Sequence, residues 1–294
     1  MIFNKKISQR YNSTKKLRKF ANHYRASKPM NHISATIITR NEEPRIERCL
    51  NSLKGVADEI IVVDSYSTDR TVEICQRYGC KVTQRAFTGF GSQRQYAAGL
   101  TTHRYVLSID ADEVLSDQLR AELIALKTSG LTHRVYSMPL INYFCGKPVR
   151  HSGWQPVREV RLFNKRYANW NLHELHERIT YDELLIPCPL DGRIDHFRVE
   201  TIDEFERKEQ RRGSLKARVI AGRTASIMPL IPHLRATLDY LSCQLRDAAI
   251  LDGREGNCIA LRRFSTTLQA YRIARSLLPV SYTHLRAHET DSYL

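Results

Sequence analysis

The run Asp110-Ala111-Asp112 directly follows the apolar segment Tyr105 to Ile109. Alternate side chains of an extended segment share a side. The two carboxylates therefore stand together and supply hard oxygen donors for a divalent cation, with coordination positions left open for a diphosphate. Extended through Glu113 and Val114, the same run also fits a D-x-D-x-V nucleophile, in which Asp110 would carry a phosphoryl group as a covalent intermediate. Three strands precede the run and no adjacent acidic pair follows it in an apolar context, which makes phosphoryl transfer the lesser reading. Two more polar groups follow apolar runs, Thr39 to Glu42 after Ile33 to Ile38, and Asp64 after Ile60 to Val63. Gly89 and Gly91 do not form G-x-G-x-x-G, because Arg94 occupies the last position, so a dinucleotide-binding dehydrogenase is not supported. His173-Glu174-Leu175-His176 is one residue short of H-E-x-x-H and lacks the one-turn histidine spacing of a zinc peptidase.

For these groups to act together, the chain must bring them to one edge. Ile33 to Ile38 reads as a strand, and Pro44 opens a helix with Ile46, Cys49, Leu50 and Leu53 on one face, stopped at Gly55. Ile60 to Val63 is a buried-type strand, Asp69 to Tyr78 a helix closed by Gly79, and Cys80 to Thr83 a third strand. Ser92 to Leu100 reads as a helix and Tyr105 to Ile109 as a strand. Strands and helices alternating at this spacing specify an α/β domain with a mostly parallel sheet, and such sheets bind ligands at the carboxyl ends of their strands. Beyond a helix carrying Leu119, Leu123 and Leu126, the spacing predicts strands at Val135 to Ile141, Glu159 to Phe163 and Glu177 to Tyr181, with Gly153-Trp154 in a loop. Residues 203 to 278 have a helical period, with Leu234, Leu238, Leu241 and Leu245 among arginines. That pattern fits an interfacial helix and an ordinary packed helix alike.

Residues 34 to 180 resemble an inverting family 2 glycosyltransferase of GT-A fold, of the type that assembles lipopolysaccharide core. The resemblance is carried in order by Ser34 to Glu43, Asp58 to Thr71, Gly89 to Ala97, Leu107 to Glu113, Asn142-Tyr-Phe, Gly153-Trp154, Arg161-Leu-Phe163 and His176-Glu177, and extends to Leu251-Asp252-Gly253 with Gly256. It implies a nucleotide-sugar domain followed by a helical region. Thr39, Asn41 and Glu42 would contact the nucleotide, and Asp64 the uracil or ribose. Gln93 and Arg94 would approach the diphosphate or donor sugar, an anion that suits arginine. Asp110 would hold the ribose or the metal hydration shell, and Asp112 would ligate Mg or Mn. Glu177 would be the carboxylate base for the acceptor hydroxyl, with Trp154 and His176 on the acceptor side. Tyr66 stands where the family usually has Gly, and Gln95 where it often has Asn.

Charge sorts residues 1–280 into three stretches. Residues 1–30 hold nine basic residues and no acid, residues 31–200 hold 22 basic against 21 acidic, and residues 201–280 hold 14 against eight. The expected organisation is a basic arm (1–30), a GT-A domain (31–200), a helical, membrane-associating region (201–280) and a non-native tail (281–294) that breaks the helical pattern. A near-neutral body with basic ends fits an anionic membrane surface better than a nucleic-acid face, so nucleic acid is excluded as a partner; a cationic binding module is the non-enzymatic alternative. No apolar run is long enough to span a bilayer, and seven scattered cysteines fit a reducing cytoplasm. The expectation is a cytoplasmic enzyme, peripheral on the inner face of the cytoplasmic membrane. It would move a glucose-like hexose, favouring a UDP-sugar donor, to a lipid-linked saccharide such as the lipopolysaccharide inner core.

Overall fold

The computed structural model describes residues 31–172, 177–223 and 231–277. The basic arm, the tail after residue 277 and His176 lie outside the described residues. The chain divides into two compact units, one built from residues 31–139 and 158–194, the other from residues 140–157 and 195 onward. The second unit thus includes a segment from within the expected 31–200 domain.

The first unit follows the alternating pattern of the sequence. Its elements are β1 (Ile33–Thr39), α1 (Glu43–Ser52), β2 (Glu59–Asp64), α2 (Thr71–Arg77), β3 (Lys81–Gln84), α3 (Phe90–Gly99), β4 (Tyr105–Asp110), β5 (Glu113–Leu115) and α4 (Asp117–Ser129). After β6 (Val135–Phe144), which begins in this unit, and β7 (Lys147–Val149) come β8 (Val157–Asn164), β9 (Ala168–Trp170), β10 (Ile179–Tyr181) and β11 (Cys188–Pro189). The sheet order is β3-β2-β1-β4-β8-β6. β1 pairs parallel with β2 and β4, β2 pairs parallel with β3, and β8 runs antiparallel to β4. This mostly parallel sheet with flanking helices is the architecture expected of a GT-A domain.

Register converts that order into a site. Thr39 lies opposite Asp64, Ile38 opposite Asp110, and Asp64 opposite Gln84. The carboxyl ends of β1, β2 and β4 therefore reach one level, where the crevice of an open parallel sheet forms. The strands hold this level because they are apolar and closed off from water: Ile33, Ala35, Ile37, Val62, Val63, Val106 and Leu107 are fully buried. Pro44 starts α1, whose Ile46, Cys49 and Leu50 are buried, and Ser116 caps α4 by accepting from the Leu119 amide at 3.2 Å.

α3 approaches the segment before β10 because of one glycine. A Cβ on Gly91 would sit 2.2 Å from the Asn171 carbonyl oxygen and 3.6 Å from the Glu177 Cβ. Only a residue without a side chain brings this helix so close. All seven cysteines are free thiols.

The second unit contains β7 paired antiparallel with the end of β6, β12 (Ile194–Val199) and the helices α5 (Ile202–Arg223), α6 (Ile231–Leu241) and α7 (Gly253–Leu277). A π-helical turn (Ser242–Arg246) and a 3₁₀ turn (Ala249–Asp252) separate α6 from α7, with Ala248 at a left-handed φ of 52° between them. Its core includes Phe144, Trp154, Val199, Phe205, Cys243 and Ile259. No described helix is long and apolar enough to cross a membrane.

Candidate active site

α3, β4, β8 and the segment entering β10 wall a cavity of about 440 Å³ in the first unit, lined by Arg94, Asp110, Arg161, Trp170 and Glu177 among others. Arg94 is its organising group. Its Nη2 donates to both Asp110 carboxylate oxygens at 2.8 Å, its Nε to Oδ1 at 3.3 Å, and its Nη1 to Glu177 Oε1 at 2.9 Å. The guanidinium also lies over the Trp170 ring, 4.7 Å from its centroid. Burial opposes the positive charge on Arg94, but the Asp110 charge and the hydrogen bonds to Asp110 and Glu177 outweigh it and raise its pKa.

A second guanidinium stands behind the first. Arg161 Nη2 donates to Glu113 Oε1 at 2.7 Å and lies 3.0 Å from Glu159 Oε2, while Nη1 is 3.9 Å from Asp110 Oδ2. Glu113 is fully buried, and its other oxygen accepts the Asp110 amide at 2.9 Å. Burial again works against the charge, and the fields of Glu113, Asp110 and Glu159 overcome it and raise the Arg161 pKa. The result is an alternating row, Glu177, Arg94, Asp110, Arg161, Glu113, in which each buried charge has an opposite neighbour. Such pairing is what makes burial of these charges tolerable. Glu113 also folds the turn after β4 back onto the Asp110 backbone, which sets where Asp112 stands.

The residues after β1 and β2 form a self-bonded loop layer. Asp64 is fully buried and accepts from the Ser67 amide at 2.9 Å, the Ser67 hydroxyl, and Gln84 Nε2 at 3.2 Å. Asn41, at a left-handed φ of 55°, accepts the Thr68 amide at 2.8 Å, and its own amide donates to Ser67 Oγ at 2.8 Å. Glu42 accepts from Arg45 at 2.8 Å, and its amide donates to Thr71 Oγ1. Thr39 is buried, with its carbonyl accepting the Ser65 amide at 2.8 Å. Gln93 is fully buried and bonds Ser65 Oγ, the Arg85 carbonyl and the Arg85 guanidinium, so it braces the loop from below.

Of the residues expected at the site, Arg94, Asp110 and Glu177 meet directly. Thr39 and Asp64 at the ends of β1 and β2 gather with Asn41 and Glu42 in the adjoining loop and with Gln93 on α3. Asp112 is half-buried in the turn between β4 and β5. Trp154, expected on the acceptor side, is 7% exposed, packed edge-on against Phe144 and Phe205 in the second unit's core with Arg198 over it. Among the described residues, no group of three or more His, Cys, Asp and Glu side chains is placed to hold a metal ion. Magnesium and manganese are commonly held by one or two carboxylates with substrate phosphates completing the shell, and the oxygen donors of Asp112 and Asp110 fit that chemistry. With Arg94 on both its oxygens, Asp110 is poorly placed as the nucleophile of the phosphoryl-transfer reading.

Arg161, Glu113, Glu159 and Trp170 had no role assigned from sequence. A signal existed for Arg161: it interrupts the apolar run Val160 to Phe163, and a charged residue inside such a strand requires a partner. Its partner, Glu113, is 48 residues away in the sequence.

The description glycosyl transferase family 2 matches residues 34–183, a span that contains the whole Glu177 to Glu113 row. A glycosyltransferase of Rickettsia bellii is 40% identical over 141 residues, covering 47% of this chain and 48% of the relative. One from Rickettsia typhi is 38% identical over 144 residues, covering 48% and 49%. The chain thus matches about half the length of these rickettsial relatives. The lipopolysaccharide core biosynthesis glycosyltransferase LpsC of Rhizobium meliloti is 31% identical over 194 residues, 63% of this chain and 70% of the relative. Among solved structures, S. aureus TarS in complex with UDP-GlcNAc is 27% identical, covering 38% of this chain and 34% of that one, at a TM-score of 0.30. Glucosyl-3-phosphoglycerate synthase from Mycobacterium tuberculosis is 24% identical, covering 41% and 47%, at a TM-score of 0.31. With half its residues inside the family's match and LpsC aligned over 70% of its length, the chain belongs to glycosyl transferase family 2.

Proposed function

We propose that the protein is a metal-dependent inverting glycosyltransferase that moves a hexose from a UDP-sugar to a lipid-linked saccharide, of the kind LpsC's name attaches to lipopolysaccharide core, at the cytoplasmic face of a membrane. The observation that carries this reading is Arg94 bridging Asp110 and Glu177 at the carboxyl edge of the sheet. It sets a carboxylate that can take a proton beside the strand end that belongs to the donor.

In the reaction, the acceptor hydroxyl attacks the anomeric carbon on the face opposite the diphosphate. The new C–O bond forms as the anomeric C–O bond to diphosphate breaks, and the bonding pair leaves with the diphosphate. The hydroxyl proton passes to Glu177, and the anomeric configuration inverts. Arg94 positions Glu177 and Asp110 together, and Arg161 with Glu113 fixes the turn that carries Asp112. Held by Asp112 and the diphosphate, Mg or Mn would offset the charge that develops on the leaving group. The loop shaped by Asp64, with Thr39, Asn41 and Glu42, receives the nucleotide. His176 lies outside the described residues and is assigned to the acceptor side with Glu177.

The test is thermal stabilisation and turnover across a nucleotide-sugar panel. UDP with Mn should raise Tm where NAD and simple phosphate esters do not, and Asp112→Ala should abolish metal-dependent transfer while the protein stays folded. Full transfer by Asp112→Ala would overturn the metal assignment.

A further inference from the structure

α6 and the π-helical turn after it are built inside out for a helix in water. The residues on their buried side are small: Pro232, Ala236 and Cys243. The outward residues are Leu234, Leu238, Leu241 and Leu245, exposed by 61%, 50%, 43% and 77%. Steps of four, three and four place these leucines on one stripe, opposite the buried alanine and cysteine. In the 3₁₀ turn that follows, Ile250 and Leu251 are 72% and 70% exposed. A contiguous apolar face of this kind marks an interaction surface.

Charge selects the occupant. Arg235 and Arg246 flank the stripe with side chains 57% and 77% exposed, each with its Nε paired to a neighbouring carboxylate, Asp239 at 3.2 Å and Asp247 at 3.1 Å. Residues 201–280 hold 14 basic against eight acidic residues, and the chain carries a formal net charge of +15. A second copy of so basic a chain brings like charge to like, whereas an anionic bilayer offers phosphates to the arginines and an apolar boundary to the leucines.

We propose that the Leu234–Leu245 face of the second unit is the surface by which the protein lies on an anionic membrane, leucines entering the acyl boundary and Arg235 and Arg246 meeting the headgroup phosphates. This rests on the membrane part of the reading above, and its test uses no sugar substrate, so transferase activity and membrane docking fail separately.

The experiment is co-sedimentation of the full chain with vesicles of phosphatidylcholine and phosphatidylglycerol, with phosphatidylcholine alone as the neutral comparison. The wild type should bind the anionic vesicles, and Leu238→Ser/Leu245→Ser should bind at least about tenfold more weakly with Tm unchanged. Salt should weaken the wild type without abolishing binding, since apolar insertion is not screened. Leu184→Ser/Ile186→Ser, a more exposed apolar pair of the first unit, should leave binding within about threefold. Unchanged binding by the stripe variant, equal loss in both variants, or a fall in Tm showing that the leucines stabilise the chain itself would overturn the proposal. So would a change of oligomeric state with vesicle binding intact, which would assign the face to self-association.

Discussion

Replacing Arg94 with Met keeps the stem over Trp170 and deletes the charge that bridges Asp110 and Glu177. The Arg94 side chain is 9% exposed, while Asp110 and Glu177 are 22% and 24% exposed. Removing one partner of a fully buried pair costs about 3–5 kcal/mol; the partial exposure of both carboxylates lowers this to about 2–3 kcal/mol, because water reaches the stranded charges. Loss of the cation over Trp170 adds about 0.5–1 kcal/mol. Urea denaturation followed by tryptophan fluorescence should therefore show Arg94→Met destabilised by about 2–4 kcal/mol. The decisive comparison is the double variant. With Asp110→Asn one of the two stranded charges is gone, so Arg94→Met/Asp110→Asn should regain part of the loss, with a coupling energy of about 1.5 kcal/mol or more. A coupling below about 0.5 kcal/mol would refute the bridge as the organising contact of the site.

Gly91→Ala forces a methyl against the Asn171 carbonyl, and overpacking of this kind should cost about 2 kcal/mol, a Tm loss of about 4–8 °C by calorimetry. Tyr66 holds a left-handed φ of 57° with its ring 56% exposed, so Tyr66→Gly relieves backbone strain of about 1 kcal/mol and should raise Tm or leave it unchanged. A clear fall in Tm would mean that the tyrosine ring makes a stabilising contact. Glu59 is acidified to about 2 from an ordinary 4.5, since hydrogen bonds from Ser34, Lys81 and Thr102 outweigh the opposing effect of burial. Its folded pKa is depressed, so its stabilisation is complete above about pH 4.5 and is lost as the pH falls toward about 2. Urea titrations at the two ends of that window should show Glu59→Gln costing on the order of 1–2 kcal/mol at the upper end and little at the lower.

The parallel half of the first unit was legible because its strands are continuous apolar runs. Ile60 to Val63 and Tyr105 to Ile109 each fall within a residue of β2 and β4. Convergence of Thr39, Asp64 and Asp110 followed from topology alone, since parallel strands end on one side. The short strands β5, β7, β9 and β11 left no periodic signal, being two or three residues long. β12, with the sequence Ile-Asp-His-Phe-Arg-Val, hides its extended run among charges. The helical region expected over 203–278 contains a break where Ala248 turns left-handed, a conformation that alanine does not announce. The Arg161–Glu113 pair was invisible because it depends on β8 returning antiparallel beside β4, a pairing that no local spacing encodes. Trp154 and the leucine stripe show the same limit from opposite sides. An aromatic expected on the acceptor side is buried, and a leucine period compatible with ordinary packing faces outward, because periodicity reports which residues share a face and not what that face meets.

The central claim is that Glu177 takes the proton of the acceptor hydroxyl in a transfer from a nucleotide-sugar. Its most direct test is the turnover of Glu177→Gln, measured as UDP release coupled to acceptor glycosylation, beside the affinity of the same variant for UDP-sugar and Mn. In this variant kcat should fall by about 10²–10⁴-fold with donor affinity within about threefold of the wild type. Turnover within about threefold of the wild type would contradict it and remove Glu177 from the chemistry.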